Sequence, residues 1–337
     1  MENPAEVRGK WGRCPTGGGG YNSPMRKALV IYNPVAGRFS VKPFLKAIEA
    51  ELVKAGWRAD IVATQSGDHA VQLGKQAAAE KYEAAFAIGG DGTVGQVASG
   101  LLCSETALGV LPAGTSNVWA QELGLPSFSW AYPGRLQENA RILASAPIQR
   151  VDMGQCNEYP FMMWAGMGLD AMAIHAIEPR VRLEKFFAVP EYAASTIWSA
   201  SQWSGIRLRL WVDGKEIEGH YLLAVANNIR RYMGGYSILS PDAHLDDGLL
   251  DLWLFHGDSL ADAFRIAYEL WRGQHANSSE AQRIPFQSLR VQAEAPFFVH
   301  MDAEPKEATR EANITVQKQA LRLLMPSASL HLLQNPS

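Results

Sequence analysis

Residues 85–93 read AFAIGGDGT, an apolar run that stops at two glycines, an aspartate, a third glycine and a threonine. The run 84–88 is short, apolar and bounded by glycine, which predicts a buried strand. The following residues 94–102, VGQVASGLL, carry Val94, Val97, Leu101 and Leu102 at spacings that predict a helix packed on a sheet. A glycine-rich turn between strand and helix sets bare backbone N–H groups beside a helix N-terminus, where phosphate binds readily. Asp91 stands among groups suited to an anion, so its expected partner is a cation, a water or a hydroxyl. Taken alone, a Gly-Gly pair after a strand serves equally well as a simple turn. The chain has no G-x-x-x-x-G-K-[ST] loop, and GGDGTVG lacks the G-x-G-x-x-G spacing. Any phosphate bound here is bound without a P-loop lysine.

Working outward, residues 27–32 (KALVIY) predict a strand that ends at Asn33-Pro34, with Gly37 in the turn and helical periodicity over 41–56. Residues 58–64 predict a second strand and 68–81 an Ala-rich helix. A further strand at 108–111 runs into PAGTSN and a helix over 118–123. Alternating strands and helices predict a parallel sheet with helices on both faces. Ligands bind such sheets at the carboxyl ends of the strands. NPVAG, GGDGT, PAGTSN and Thr64 all fall there. From about residue 150 the pattern changes to short β-like runs separated by turns, which predicts a second, mainly antiparallel domain. Helical inserts are expected over 182–203 and 260–273, and the seam between domains near Ala146-Pro147.

A chain of 337 residues suffices for two domains, and 47% hydrophobic with 19% charged residues is the make-up of an ordinary folded protein. A net charge of −3 gives no case for nucleic acid as a partner. Cys14, Cys103 and Cys156 are scattered and lack C-x-x-C spacing, so they read as idle thiols in a reducing cytoplasm. No apolar run approaches the roughly 20 residues of a membrane span. Residues 1–25, rich in glycine, proline and polar side chains, read as a disordered tail.

NPVAG at 33–37, GGDGT at 89–93, LPAGTSN at 111–117, SPDAHLDDGLLD at 240–251 and DAEP at 302–305 occur in that order. Together they resemble the diacylglycerol kinase catalytic family, the superfamily of bacterial lipid kinases and sphingosine kinases, over about residues 26–325. The resemblance implies an α/β nucleotide-binding domain over 26–147, with a Rossmann-like parallel sheet of the NAD kinase and phosphofructokinase kind. It implies a mainly antiparallel β-sandwich over 148–330 that receives the lipid. The implied activity is transfer of the γ-phosphoryl group of ATP, with Mg²⁺, to a lipid hydroxyl in the cleft between them. By similarity, Asn33, Pro34, Val35, Ala36, Gly37, Thr64, Gly89, Gly90, Gly92, Thr93 and Thr115 hold ATP, while Asn117 braces its turn or the ribose. Asn33 serves equally well as a cap on its own turn.

The resemblance also makes Glu304 the general base, with Asp91 ordering the Mg²⁺–phosphate shell or the cleft network. It gives a structural Mg²⁺ to the Asp247 carboxylate and the carbonyls of His244 and Leu249, in a segment that otherwise reads as a solvated turn. Two residues depart from the family pattern. Ala303 replaces a glycine, which adds strain if φ is positive there. Gln96 stands where many relatives have glutamate. The stretch 179–203 mixes Arg180, Arg182 and Lys185 with large aromatic residues, a make-up for headgroups and acyl chains or for a packed helix. Arg230, Arg231 and Tyr232 are candidate headgroup contacts. The expected setting is cytoplasmic, with peripheral attachment to a membrane surface that supplies the lipid; a homodimer is compatible. Alternatives are an NAD kinase-like enzyme and a nucleotide- and lipid-binding module with little turnover. Which lipid is used does not follow from these residues.

Overall fold

The computed structural model of the chain describes residues 25–129, 131–177 and 204–335. The expected tail over 1–25 and the insert over 182–203 therefore lie almost wholly outside the described residues.

The first region builds as its periodicity predicts. Strand β1 (Arg26–Tyr32) leads through a 3₁₀ turn at Lys42–Phe44 into α1 (Leu45–Lys54), then β2 (Trp57–Ala63) and α2 (His69–Ala79). β3 (Ala84–Gly89), buried at every residue, runs into α3 (Asp91–Leu101), followed by β4 (Ala107–Pro112) and the short α4 (Val118–Glu122). α5 (Arg135–Ala144), which the sequence reading did not anticipate, closes the region. The four strands are parallel in the order β2-β1-β3-β4. Right-handed crossovers then set α1 on one face and α2 with α3 on the other. The contacts agree: α1 packs against α5, and α2 against α3. At Gly74 and Gly100 those two helices approach so closely that a Cβ on Gly100 would lie 2.4 Å from the Val71 carbonyl oxygen. The chain reverses direction across the sheet between β1 and β3, and such a switch point opens a crevice at the strand ends.

Trp57 fixes one flank. It is fully buried, donates Nε1–H to the Ala144 carbonyl at 2.9 Å, meets Phe86 edge-on, and carries the Arg26 guanidinium 3.7 Å from its ring centre. Truncating such an indole to alanine costs about 3–5 kcal/mol.

The rest of the chain is strand-rich and antiparallel. It comprises β5 (Ile148–Cys156), β6 (Tyr159–Phe161), β7 (Trp164–Gly168), α6 (Leu169–Ile177), β8 (Ile206–Val212), β9 (Lys215–Tyr221), β10 (Leu223–Asn227), β11 (Arg231–Tyr232), β12 (Ser237–Ile238), β13 (Leu250–Phe255), α7 (Leu260–Arg272), β14 (Ala281–Phe286), β15 (Ser288–Met301) and β16 (Glu304–Leu324). The path β14-β13-β10-β7-β15-β16 continues without interruption into β4, because the far end of β16 pairs in parallel with it. One long strand thus joins the antiparallel half to the α/β half. The larger hydrophobic cluster spans both halves, including Leu108, Val151, Trp253 and Leu321; a second fills the antiparallel half.

Candidate active site

Three glycine-bearing turns meet at the carboxyl ends of β1, β3 and β4, and they touch through backbone. Gly37 has φ of +63°, and a Cβ there would lie 2.0 Å from the Ala113 carbonyl oxygen. A Cβ on Gly114 would lie 2.4 Å from the Cα of Gly90. Any side chain at either position drives the turns apart, so glycine is required by contact at both and by conformation at Gly37 as well. Side chains fasten the cluster. Asn33 accepts the Val35 N–H on Oδ1 at 3.0 Å and donates Nδ2–H to Thr93 Oγ1 at 3.1 Å, tying the first turn to the second. Asn117, with φ of +53°, bonds Gly114 at both its N–H and its carbonyl and also reaches Ser127. Of its two expected parts, it takes the bracing one.

These turns line a cleft of about 850 Å³. Asn33, Pro34, Val35, Ala36, Gly37, Thr64, Gly90, Asp91, Gly92, Thr93 and Thr115 all border it; Gly89 and Asn117 lie behind. Among the described residues lining the cleft there is no lysine or arginine. Its anion-binding power is that of amide N–H groups at the start of α3, with the hydroxyls of Thr64, Thr93 and Thr115.

Asp91 is half-buried at the edge of the cleft, and its Oδ1 accepts the Trp119 N–H at 3.1 Å. Burial pushes its carboxyl above the usual range, against the pull of the Asn117, Val118 and Trp119 amides. The side chain caps α4, a helix whose own cap position, Asn117, makes no such bond. The geometry therefore gives Asp91 a positioning part, holding the third turn against the second.

The opposite wall comes from the hairpin between β15 and β16. Its two turn residues, Asp302 and Ala303, have φ of +51° and +65°, and Met301 pairs with Glu304 across it. Positive φ at both positions is the mark of a type I′ turn, for which Asp-Gly is preferred over Asp-Ala. The strain expected of Ala303 is present. The turn is pinned by Asp302, which accepts the N–H groups of Met162, Met163 and Trp164 at 2.8, 2.8 and 3.1 Å. Burial raises its carboxyl to about 6 despite those bonds.

Glu304, the first residue of β16, is half-exposed and faces the start of α3. Its Oε1 accepts a 3.4 Å hydrogen bond from Gln96 Nε2, and its Oε2 lies 3.6 Å from Lys306 Nζ. A Cβ on Gly92 would lie 3.4 Å from the same Oε1. A carboxylate from the far end of the chain thus packs within contact distance of the GGDGT turn.

Two family models cover almost all of this arrangement: the diacylglycerol kinase catalytic domain over residues 27–156, and the YegS C-terminal NAD kinase beta sandwich-like domain over residues 164–325. The chain belongs to the diacylglycerol kinase catalytic family. Membership makes it a kinase acting on a lipid hydroxyl. The diacylglycerol kinase of Bacillus subtilis is 27% identical, matching 83% of this chain and 90% of its own length; that of Staphylococcus carnosus is 26% identical over 83% and 89%. Two crystal structures of Bacillus anthracis proteins superpose with TM-scores of 0.72 and 0.68 at 24% and 22% identity, the second described as a diacylglycerol kinase. Each covers 90% of this chain and 98% of its own. That likeness concerns the fold.

The cleft also holds a buried group of which sequence reasoning named Tyr232 alone. Tyr232 donates its hydroxyl to Asp170 Oδ2 at 2.6 Å, and the His300 Nε2 lies 2.9 Å from the same oxygen. Ala303 N–H donates to His300 Nδ1 at 3.3 Å, which leaves the ring proton on Nε2, directed at Asp170. Gly166 makes the room, since a Cβ there would lie 2.2 Å from the imidazole. Asp170, His300 and Tyr232 are separated by long stretches of chain, and no spacing connects them; the pairing of β7 with β15 brings Asp170 to His300, and the Tyr232 hydroxyl joins them from β11. Their chain ends at the turn that carries Glu304.

Arg230 and Arg231 do not line the cleft. Arg230 Nε lies 2.8 Å from Oε1 of the buried Glu122, and Arg231 Nε 3.7 Å from Oε2, so their charge is directed at α4. Tyr232 alone of the three borders the cleft. Among the cysteines, Cys156 is a buried free thiol, which burial pushes up to about 12.

His244, Asp247 and Leu249 come together at a separate pocket of about 50 Å³. Asn227, Asn228, Asp251 and Arg283 complete its lining. Three buried oxygens there, Asn227 Oδ1, Asn228 Oδ1 and Asp251 Oδ2, have no hydrogen-bond partner. Orphaned oxygens beside a carboxylate suit a hard cation, so the residues present fit the Mg²⁺ that the family resemblance implies. Asp152 lies below, its carboxyl raised to about 6 by burial, accepting the Gly248 and Gln319 N–H groups at 2.6 Å each. It fixes the loop rather than facing the pocket. Among the described residues no three His, Cys, Asp or Glu side chains form a metal cage, so a cation here depends on carbonyl and amide oxygens.

Proposed function

We propose that the chain transfers the γ-phosphoryl group of ATP to a lipid hydroxyl, with Glu304 as general base. The observation that carries the reading is the position of Glu304 across the cleft from the first turn of α3, in reach of Gln96. Residues 26–147 are assigned to the nucleotide and 148–330 to the lipid.

Phosphoryl transfer needs the triphosphate held, its charge spread and the acceptor aligned. The turns at Asn33–Gly37, Gly89–Thr93 and Thr115 hold the phosphates with amides and hydroxyls. Mg²⁺ bound to the nucleotide supplies the positive charge that the cleft wall lacks. The acceptor hydroxyl lies between Glu304 and the γ-phosphorus. Its proton passes to the Glu304 carboxylate as the new O–P bond forms, and the bond to the bridging oxygen breaks with its electron pair leaving on ADP. Gln96 orients the carboxylate without charging it. Asp302, through three amides, sets the turn that aims it.

Met163, Trp164, Ile174, Tyr232 and Met233 give the cleft an apolar end suited to a chain beside a single hydroxyl. Substrate of that kind is drawn from a membrane surface by a protein in peripheral contact with it. Among the described residues no helix is long and apolar enough to cross a membrane. The test is transfer of label from γ-labelled ATP to a panel of diacylglycerols, other monohydroxy lipids and long-chain bases, with NAD alongside. Label on one lipid class supports the reading. Label on NAD, or on nothing despite ATP binding, overturns it.

A further inference from the structure

Helix α7 presents aromatic side chains to the outside. Phe264, Tyr268 and Trp271 are 54%, 57% and 70% exposed, while Ile266 and Leu270 on the other face are buried. At 3.6 residues per turn, Ala261, Phe264, Tyr268 and Trp271 fall within an arc of about 80°. The rings of Tyr268 and Trp271 are 6.2 Å apart, so they form a patch and not three isolated side chains. The helix has a well-built frame: Ser259 caps its start by accepting the Asp262 N–H, and Gly273 ends it with φ of +66°. Nothing in that frame calls for aromatic residues outside.

The patch continues to the mouth of the cleft. Ser237 donates its hydroxyl to the Leu270 carbonyl at 2.6 Å, which docks β12 on the last turn of α7. β11 and β12 pair across residues 233–236, and there Met233 is 37% and Tyr236 80% exposed, with Ile238 at 37%. Met233 and Tyr236 border the cleft. Six large apolar side chains are therefore exposed on two adjoining elements, α7 and the β11–β12 hairpin, the second of which reaches the rim of the pocket. Exposure on this scale marks a contact surface.

Ring chemistry and the placing of charge select the occupant. On α7, Arg265 lies 3.3 Å from Asp262 and 3.4 Å from Glu269, and with Arg272 the helix balances two acids with two arginines. Arg272, exposed in the last turn beside Trp271, has no ion pair among the described residues. The helix thus sets an unpaired arginine beside its exposed aromatic residues, the pattern of a helix lying in a headgroup layer. Tyrosine and tryptophan suit that layer because one end is apolar and the other polar. A second copy of the chain seated on this face would cover Met233 and Tyr236 and block the cleft. A bilayer seated there opens it to its own lipids.

We infer that the outer face of α7, with Met233, Tyr236 and Ile238, is the surface by which the protein docks on an anionic lipid bilayer. The inference rests on the lipid-kinase reading, but its readout is binding and needs no turnover. The full chain is sedimented with vesicles of phosphatidylcholine containing roughly one-third phosphatidylglycerol. The variants are Phe264→Ser/Tyr268→Ser/Trp271→Ser and Arg272→Glu. The first is expected to lower the fraction bound at least about tenfold, and the second severalfold on anionic vesicles only, as for an interfacial helix. Both should phosphorylate a short-chain lipid dispersed as monomers at the parent rate. Unchanged vesicle binding in the triple variant overturns the inference, as does a parent dimer that this variant breaks. If no lipid is ever phosphorylated yet vesicle binding is lost in the variants, the docking surface stands and the activity fails.

Discussion

Gln96 Nε2 lies 3.4 Å from Glu304 Oε1, joining the first turns of α3 to the first residue of β16 across the cleft. The residues are 208 positions apart. A neutral partner at this distance orients the carboxylate and adds no charge. Replacing Gln96 with glutamate sets two carboxylates side by side, which disfavours the ionised form of either. The acid limb of the pH–rate profile of Gln96→Glu is expected to move to higher pH by about one unit. Kinetics from pH 5 to 8 on both proteins check this.

Ala303 sits at φ of +65° in the turn before Glu304. Left-handed backbone costs an L-residue about 1–2 kcal/mol, of which glycine's greater freedom in the unfolded chain returns roughly half. Ala303→Gly is expected to be more stable by about 0.5–1 kcal/mol, read as a higher denaturant midpoint at unchanged slope. A less stable variant would mean that the methyl group packs usefully.

Gly37 supports a prediction of opposite sign. A Cβ 2.0 Å from the Ala113 oxygen forces the first and third turns apart. Gly37→Ala is expected to weaken ATP binding about tenfold or more, a loss of at least about 1.4 kcal/mol. Titration calorimetry with a non-hydrolysable ATP analogue measures it. Asn117→Ala, which loses the brace behind the same turn, should act in the same direction.

Asp302 and Asp152 have carboxyls raised to about 6 by burial. Such groups bind more protons folded than unfolded between about pH 4 and 6, so the stability they contribute is full below pH 4. It is lost as pH rises through about 6. The expected melting temperature, apart from other groups, falls across that window. Asp302→Asn flattens the slope, and costs about 1–3 kcal/mol because its Nδ2 would confront the Met162 N–H. Thermal melts of both proteins at pH 4, 5, 6 and 7 test the sign.

Strand, turn and helix in the first region were legible because each is local. The all-buried β3, the glycines after it and the periodicity of α3 lie within eighteen residues, from 84 to 101. α5 was missed: its apolar positions are interrupted by the run Gln137, Glu138, Asn139, and only packing on α1 shows which face is inside. The strain at Ala303 was legible from the residue type its motif departs from. Asp170 and His300 were not, since they meet only once β7 and β15 pair. For Asp91 the motif left open a part in the Mg²⁺–phosphate shell or in the cleft network, and only the fold shows its bond to the start of α4.

The central claim is that Glu304 takes the proton from the lipid hydroxyl. Glu304→Gln keeps the size of the side chain and its bond to Gln96 while removing the basic oxygen. Turnover of the variant, measured with the lipid that accepts label and saturating Mg²⁺–ATP, is predicted to fall about 10²- to 10⁴-fold with ATP affinity unchanged. Turnover within a factor of two of the parent would contradict the account.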